Sequence, residues 1–355
     1  MLGTVSLDVR PAEGPVDGHL VAGVLDELVA EARGFLAAAE AEGTRRNYAT
    51  DWRAFVAWCG NHGFESLPAD AEVVALYLTD YARAHKASTV VRRAVGIAKG
   101  HRRAGYLSPT EIESVRLVLA GIRRTKGMAL TQKSPLLTAD VLALVDTCSP
   151  DTLAGLRDRA LLLVGYMGAF RRSELAALDV EDFEDRPEGM AINLRRSKVD
   201  QEARGRRKVL VYGSTPLSCP VTAARAWMAR TAPASGPVFR PVDRHGRLGP
   251  GRLSGQGVAA VVKRAALAAG LDPSSFAGHS LRAGHVTQAK RNDATDLEVM
   301  SQTHHRSAES ISGYVREADL FRHTSARRLV RRRSDHLLLF RISVKAEDGL
   351  TTELP

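Results

Sequence analysis

Gly278-His279-Ser280-Leu281-Arg282 reads as the opening of a helix, with a glycine just before it. His279 and Arg282 are three residues apart and share one helical face, while Leu281 can anchor the segment in a core. An imidazole and a guanidinium on one face can meet the same phosphate, the guanidinium through two parallel hydrogen bonds. A lone pair at this spacing is common, so its meaning depends on what surrounds it.

Three further clusters do so. Upstream lies Gly168-Ala169-Phe170-Arg171-Arg172-Ser173-Glu174-Leu175. Gly168 is expected to end one helix and Ser173 to cap the next, which sets Arg171 beside backbone N–H groups that favour an anion. Glu174 can orient a neighbouring basic group, although the pair alone also reads as a surface ion pair. Two β-like runs, Ala191–Leu194 and Val209–Tyr212, flank Lys198. An amine on such a hairpin can reach into a groove and give up a proton. A solvated lysine in a basic run (Arg204, Arg206, Arg207, Lys208) explains it equally well alone. Downstream, Ser307 can cap a helix that carries Tyr314, nine residues after His305. Glu309 lies four residues past His305, but a closed metal site needs about four ligands. No third or fourth follows in pattern, so no metal site is expected. Tyr314 by itself also fits an amphipathic core position.

The 355 residues hold 50 Lys+Arg against 40 Asp+Glu, an excess of +10 that favours a polyanionic partner. Cys59, Cys148 and Cys219 are widely spaced without a CxxC, which argues against a disulfide scaffold or zinc site. No apolar run approaches the ~18 residues of a membrane span, and no basic leader begins the sequence. A cytoplasmic, nucleoid-associated protein without membrane partners is the expectation.

Five segments are expected. Residues 1–18 read as a flexible leader and 19–122 as a helical domain. Within that domain Thr44, Asp70 and Ser88 are expected caps, and Pro109 opens a helix to Ile122. A basic linker follows over 123–137, then a mainly helical domain with a small sheet over 138–330, and a tail of unassigned role over 331–355. Basic side chains recur at Arg45, Arg46, Arg92, Arg93, Lys99, His101, Arg102, Arg103, Arg123, Arg124, Lys126, Arg195 and Arg196. Clusters this dense suit contact with a nucleic-acid backbone.

In this order and spacing the clusters resemble those of the tyrosine recombinase (phage integrase) family, over about Thr44 to Leu329. Thr44-Arg45-Arg46-Asn47-Tyr48 is similar to the start of that family's first motif. The resemblance implies a mainly α fold: a SAM-like helical core-binding domain, then an α-rich catalytic domain with a small antiparallel sheet. It implies Arg171 and Arg282 as phosphate-clamping arginines, Lys198 as the hairpin lysine, and His279 and His305 as the two histidines. Tyr314 would be the nucleophile and Glu174 its supporting acid. The implied activity is site-specific recombination of double-stranded DNA through a 3′-phosphotyrosyl intermediate and a Holliday junction. It would be carried out by a homotetramer with no metal, ATP or other cofactor, and with accessory DNA-bending or directionality factors as further partners. The chain departs from the pattern at His304, where the family often has glycine, and in the tail from Arg331. A type IB topoisomerase and a catalytically silent DNA-binding regulator on the same fold are the alternatives.

Overall fold

The computed structural model describes residues 27–35, 42–128, 133–195, 206–305 and 307–314. The leader, the tail, Lys198 and Arg196 lie outside them. The chain divides into two compact units, Met1–Thr131 and Gln132–Pro355.

In the first unit, residues 27–35 are helical. Four longer helices follow: α1 (Glu42–His62), α2 (Ala71–Ala84), α3 (Ala87–Arg103) and α4 (Glu113–Lys126). Their shared core holds Trp52, Phe55, Cys59, Val74, Tyr77, Leu78, Val90, Ile97 and Val115. Two glycines let α1 and α3 approach: a Cβ at Gly96 would lie 2.8 Å from Asp51, and one at Gly100 2.3 Å from the Trp52 ring. Several expected boundaries shift. Thr44 and Ser88 lie inside α1 and α3 rather than capping them, and Pro109–Glu111 is a separate 3-10 turn. α4 runs on to Lys126, so Arg123, Arg124 and Lys126 stand on its last turn rather than in a linker.

The second unit begins with α5 (Thr138–Asp146), α6 (Leu153–Met167) and α7 (Arg172–Ala177). A three-stranded antiparallel sheet follows, ordered β1 (Phe183–Arg186), β2 (Gly189–Leu194), β3 (Arg206–Val211). β1 was not legible beforehand, because Phe183-Glu184-Asp185-Arg186 is a polar edge strand whose half-buried end is a single Phe–Glu pair. Five α-helices follow among the described residues: α8 (Pro220–Thr231), α9 (Gly255–Ala268), α10 (Ser280–Arg291), α11 (Asp296–Thr303) and α12 (Glu309–Ser312). Its core gathers Leu161, Leu162, Phe170, Trp227, Phe239, Val262 and Leu281. Gly165 on α6 fixes the site's frame. A Cβ there would stand 2.9 Å from both Leu175 and Leu281, so this glycine draws the segments bearing Arg171 and Arg282 together.

Candidate active site

The α6–α7 corner decides where Arg171 stands. Gly168 ends α6, and a Cβ on it would lie 2.1 Å from the Phe170 ring. Ala169 takes a left-handed φ of 47°, and Phe170 turns into the core. Arg171 precedes α7. Its backbone N–H donates to Glu174 Oε2 (2.9 Å) and its Nη1 to Oε1 (2.5 Å). The cap of α7 is therefore Glu174 reaching back, while Ser173 sits within the first turn. Burial pushes the Glu174 carboxyl up, but the Arg171 N–H, the Arg171 charge and Lys208 outweigh it and hold the pKa below its ordinary value.

His279 is the N-cap residue of α10, and Arg282 lies one turn in, fully buried. Arg282 Nη1 donates to Ala169 O and Nη2 to Thr303 O, both at 2.7 Å. Nη2 also lies 3.0 Å from His305 Nε2. Nε is buried and has no hydrogen-bond partner among the described residues. Desolvation, then the nearby Arg171 charge, lowers the Arg282 pKa.

The His305 tautomer follows from its partners. Thr303 Oγ1 donates to Val299 O (2.6 Å), so it accepts from His305 Nδ1 (2.9 Å). Nε2 is then the acceptor for Arg282. Burial, followed by the Arg282 and Arg171 charges, brings the His305 pKa down to about 4. The ring is neutral at pH 7 and orients the arginine.

His304 ends α11 with a left-handed φ of 56°, a backbone that suits glycine. Its Nε2 donates to Arg207 O at 3.0 Å. The two histidines therefore part: His304 ties α11 to β3, and His305 faces the arginines.

Tyr314 follows α12. Its hydroxyl lies 3.0 Å from His279 Nε2, and the His305 and Tyr314 ring centres are 5.4 Å apart. The Tyr314 backbone N–H donates to Ile311 O at 2.8 Å, and Thr287 Oγ1, which donates to Ala283 O, lies 3.3 Å from Tyr314 O. A cleft of about 330 Å³ opens beside this pair, lined by Lys133, His279, Ser280, Ala283, Ser310 and Tyr314. Arg171, Glu174, His279, Arg282, His305 and Tyr314 thus belong to one cluster, built from segments up to 143 positions apart in sequence. Among the described residues no group of three or more His, Cys, Asp or Glu side chains gathers as a metal would require.

Residues 135–320 match the family model described as the phage integrase family. The integrase/recombinase XerD homologue of Selenomonas ruminantium is 37% identical over 307 residues, spanning 86% of this chain and 90% of that protein. The chain belongs to the phage integrase family. Other relatives agree. The Cre recombinase of Escherichia phage P1 is 25% identical over 288 residues, covering 75% of this chain and 82% of that one. A lambda integrase tetramer bound to a Holliday junction superposes with a TM-score of 0.52 at 15% identity, over 85% of this chain and 82% of that one, which shows a shared fold. The chain is a site-specific recombinase.

Several basic residues of the chain are placed otherwise than expected. Arg93 is buried: its Nη2 donates to Tyr81 Oη (2.6 Å), its Nη1 to Asp51 O (3.2 Å), and Nε lies 3.4 Å from Asp51 Oδ1. His101 is buried too, accepting from Ala69 N at Nε2 and donating from Nδ1 to Ile97 O. The reason is periodicity, since Val90, Arg93, Ala94, Ile97 and His101 share the inward stripe of α3. Both side chains therefore pack into the core of the first unit rather than standing on its surface as expected. Arg92 pairs with Asp51 and Arg102 with Glu111, and Lys99 lies over the Tyr48 ring. Arg195 is held by Asp182, Asp179 and Glu181. Arg45, Arg46, Arg123, Arg124 and Lys126 are exposed, and Arg103 is half-buried.

Sequence reasoning passed over Lys208 as one of a solvated run. It is 1% exposed, and its Nζ donates to Gly168 O (2.7 Å), Ala169 O (3.2 Å) and Gln302 O (2.7 Å). The missed signal was the period of two along β3, which puts Lys208 on the inward face with Leu210. Among the described residues no helix is long and apolar enough to cross a membrane.

Proposed function

We propose that this integrase cuts and rejoins double-stranded DNA at specific sites, with Tyr314 as nucleophile. The observation that carries the reading is the 3.0 Å contact between His279 Nε2 and the Tyr314 hydroxyl, beside buried Arg282 and its half-buried partner His305. A phenol of ordinary pKa, about 10, is a weak nucleophile at neutral pH without a base or nearby cations. His279 Nε2 takes the phenolic proton as Tyr314 Oη bonds to phosphorus. Arg171 and the unmatched Arg282 donors hold the nonbridging oxygens as charge builds, while His305 keeps the Arg282 guanidinium in place. Lys198 protonates the 5′-oxygen as the P–O5′ bond breaks.

The products are a 3′-phosphotyrosyl enzyme and a free 5′-hydroxyl. Phosphoester is exchanged for phosphoester, so a 5′-hydroxyl from a second duplex can reverse the step without ATP. Guanidinium groups supply the electrostatic stabilisation that Mg²⁺ gives in other phosphoryl transfers. Two such exchanges pass through a Holliday junction and require four protomers on two sites. The lambda integrase tetramer on a Holliday junction, which shares this fold, supports that stoichiometry.

Covalent capture tests the reading. Short random fragments of source genomic DNA are incubated with wild type or Tyr314→Phe, and denaturation-resistant DNA is sequenced. Adducts that require Tyr314 and share one motif are expected. Scattered adducts would point to a topoisomerase, and specific binding by an assembled tetramer without adducts would point to a silent regulator.

A further inference from the structure

Lys208 sits where two helix ends meet. Gly168 closes α6, and Gln302 lies in the last turn of α11, so both contribute carbonyls that intrahelical bonding leaves over. An ammonium has three N–H groups, and those of Lys208 face three carbonyls, on Gly168, Ala169 and Gln302. Arg282 bridges the same two segments, from Ala169 O to Thr303 O. One segment runs directly into Arg171 and the other into His305. The Gln302 side chain extends the tie: Nε2 donates to Met167 O and Val209 O, and Oε1 accepts from Val209 N. β3, the α6–α7 corner and the end of α11 are thereby stapled around one cation.

Resting on the recombinase reading above, we infer that Lys208 is a positioning residue for strand cleavage. Its ammonium fixes the α6–α7 corner against the end of α11 and so sets the spacing of Arg171 and His305 around the phosphate. It is not the proton donor to the leaving oxygen, because it is buried and all three of its N–H groups are engaged. Lysine is required rather than an apolar residue, because a methyl group would leave three carbonyls buried without a donor. Desolvation, with Arg282 and Arg171 acting in the same sense and Glu174 opposing, brings the Lys208 pKa down to about 7. The other titratable groups facing it are His285, His304 and His305, each brought down to about 4 and neutral through the range that matters. As pH rises through 7 the amine keeps two N–H groups for three acceptors, and the staple loosens. An arginine stays charged throughout that range.

The test uses the full chain and a nicked duplex carrying the captured site, which traps the cleaved enzyme. Lys208→Met should cut about 100-fold more slowly at saturating DNA, the scale of a misplaced catalytic group, with DNA affinity within about threefold of wild type. A 5′-bridging phosphorothiolate, whose leaving group needs no acid, should rescue Lys198→Ala and leave Lys208→Met slow. Lys208→Arg should recover most of the rate and lack the decline above pH 7 that is expected of wild type in single-turnover cleavage of limiting DNA. Cleavage by folded Lys208→Met at the wild-type rate, or its rescue by the phosphorothiolate, would overturn the inference. Should Lys208→Met fail to fold, an unchanged pH decline in Lys208→Arg would overturn it instead. Absence of any Tyr314 adduct from wild type would sink the recombinase reading itself.

Discussion

Replacing Glu174 by glutamine removes one charge and little volume. Glu174 is 3% exposed, and each of its carboxylate oxygens takes one Arg171 donor. Glutamine can accept one of those bonds, but its amide then turns N–H groups toward the other donor. The loss is one charge-assisted hydrogen bond, about 1.5–3 kcal/mol. The cations Arg171, Lys208 and Arg282 are also left with less neutralising charge, while the 16% exposure of the Arg171 side chain lets solvent screen part of that cost. Destabilisation of the second unit by about 2–3 kcal/mol is expected. Urea unfolding of a Trp52→Phe/Trp58→Phe background measures it, because Trp227 is then the remaining tryptophan and reports on that unit alone. The pH dependence has a definite sign. The folded pKa of Glu174 lies below its ordinary value of 4.5, so its stabilisation is complete above 4.5 and disappears as pH falls through the folded value. The gap between wild type and Glu174→Gln should therefore shrink as pH falls below 4.5. A difference under about 0.5 kcal/mol at pH 7, the size of an ordinary surface substitution, or a gap that widens in acid would refute this account of Glu174.

Thr303→Val removes the acceptor for His305 Nδ1 and should slow adduct formation about 10- to 100-fold, through loss of the tautomer that orients Arg282; an unchanged rate would separate His305 orientation from cleavage. Gly100→Ala drives a methyl into the Trp52 ring and should destabilise the first unit by about 1–3 kcal/mol, read by urea unfolding, with cleavage of a saturating site little changed. Arg93→Met should weaken the first unit's stability yet leave the salt dependence of DNA binding unaltered. Alanine at Arg123, Arg124 or Lys126 should lower that slope by about one per charge removed, as measured by titration across salt concentrations.

The chemistry was legible where its determinants lie close together in sequence. Arg171 and Glu174 form a reciprocal cap three residues apart, and His279 and Arg282 share one turn, so spacing marks each pair and the order of the clusters gives the pairs their meaning. Residues that act through the backbone of distant segments leave no such mark. Lys208 is separated from its three carbonyl partners by 39, 40 and 94 positions, and only strand alternation distinguishes it from its exposed neighbour Arg207. Arg92 and Arg93 are identical in composition terms, yet one helical step sends the second into the core against Asp51 and Tyr81. His304 shows the converse: its left-handed backbone suits glycine, yet its side chain is used, tying α11 to Arg207 O on β3. Helix starts at Thr44, Ser88 and Ser173 were misplaced because hydroxyl residues suit first-turn positions as well as caps.

The most direct test of the phosphotyrosyl account is to trim a captured complex with nuclease and sequence its modified peptide by mass spectrometry. The expected product is a nucleotide joined through its 3′-phosphate to Tyr314, with the departed strand carrying a 5′-hydroxyl. Attachment through a 5′-phosphate, or at any other side chain, would contradict it.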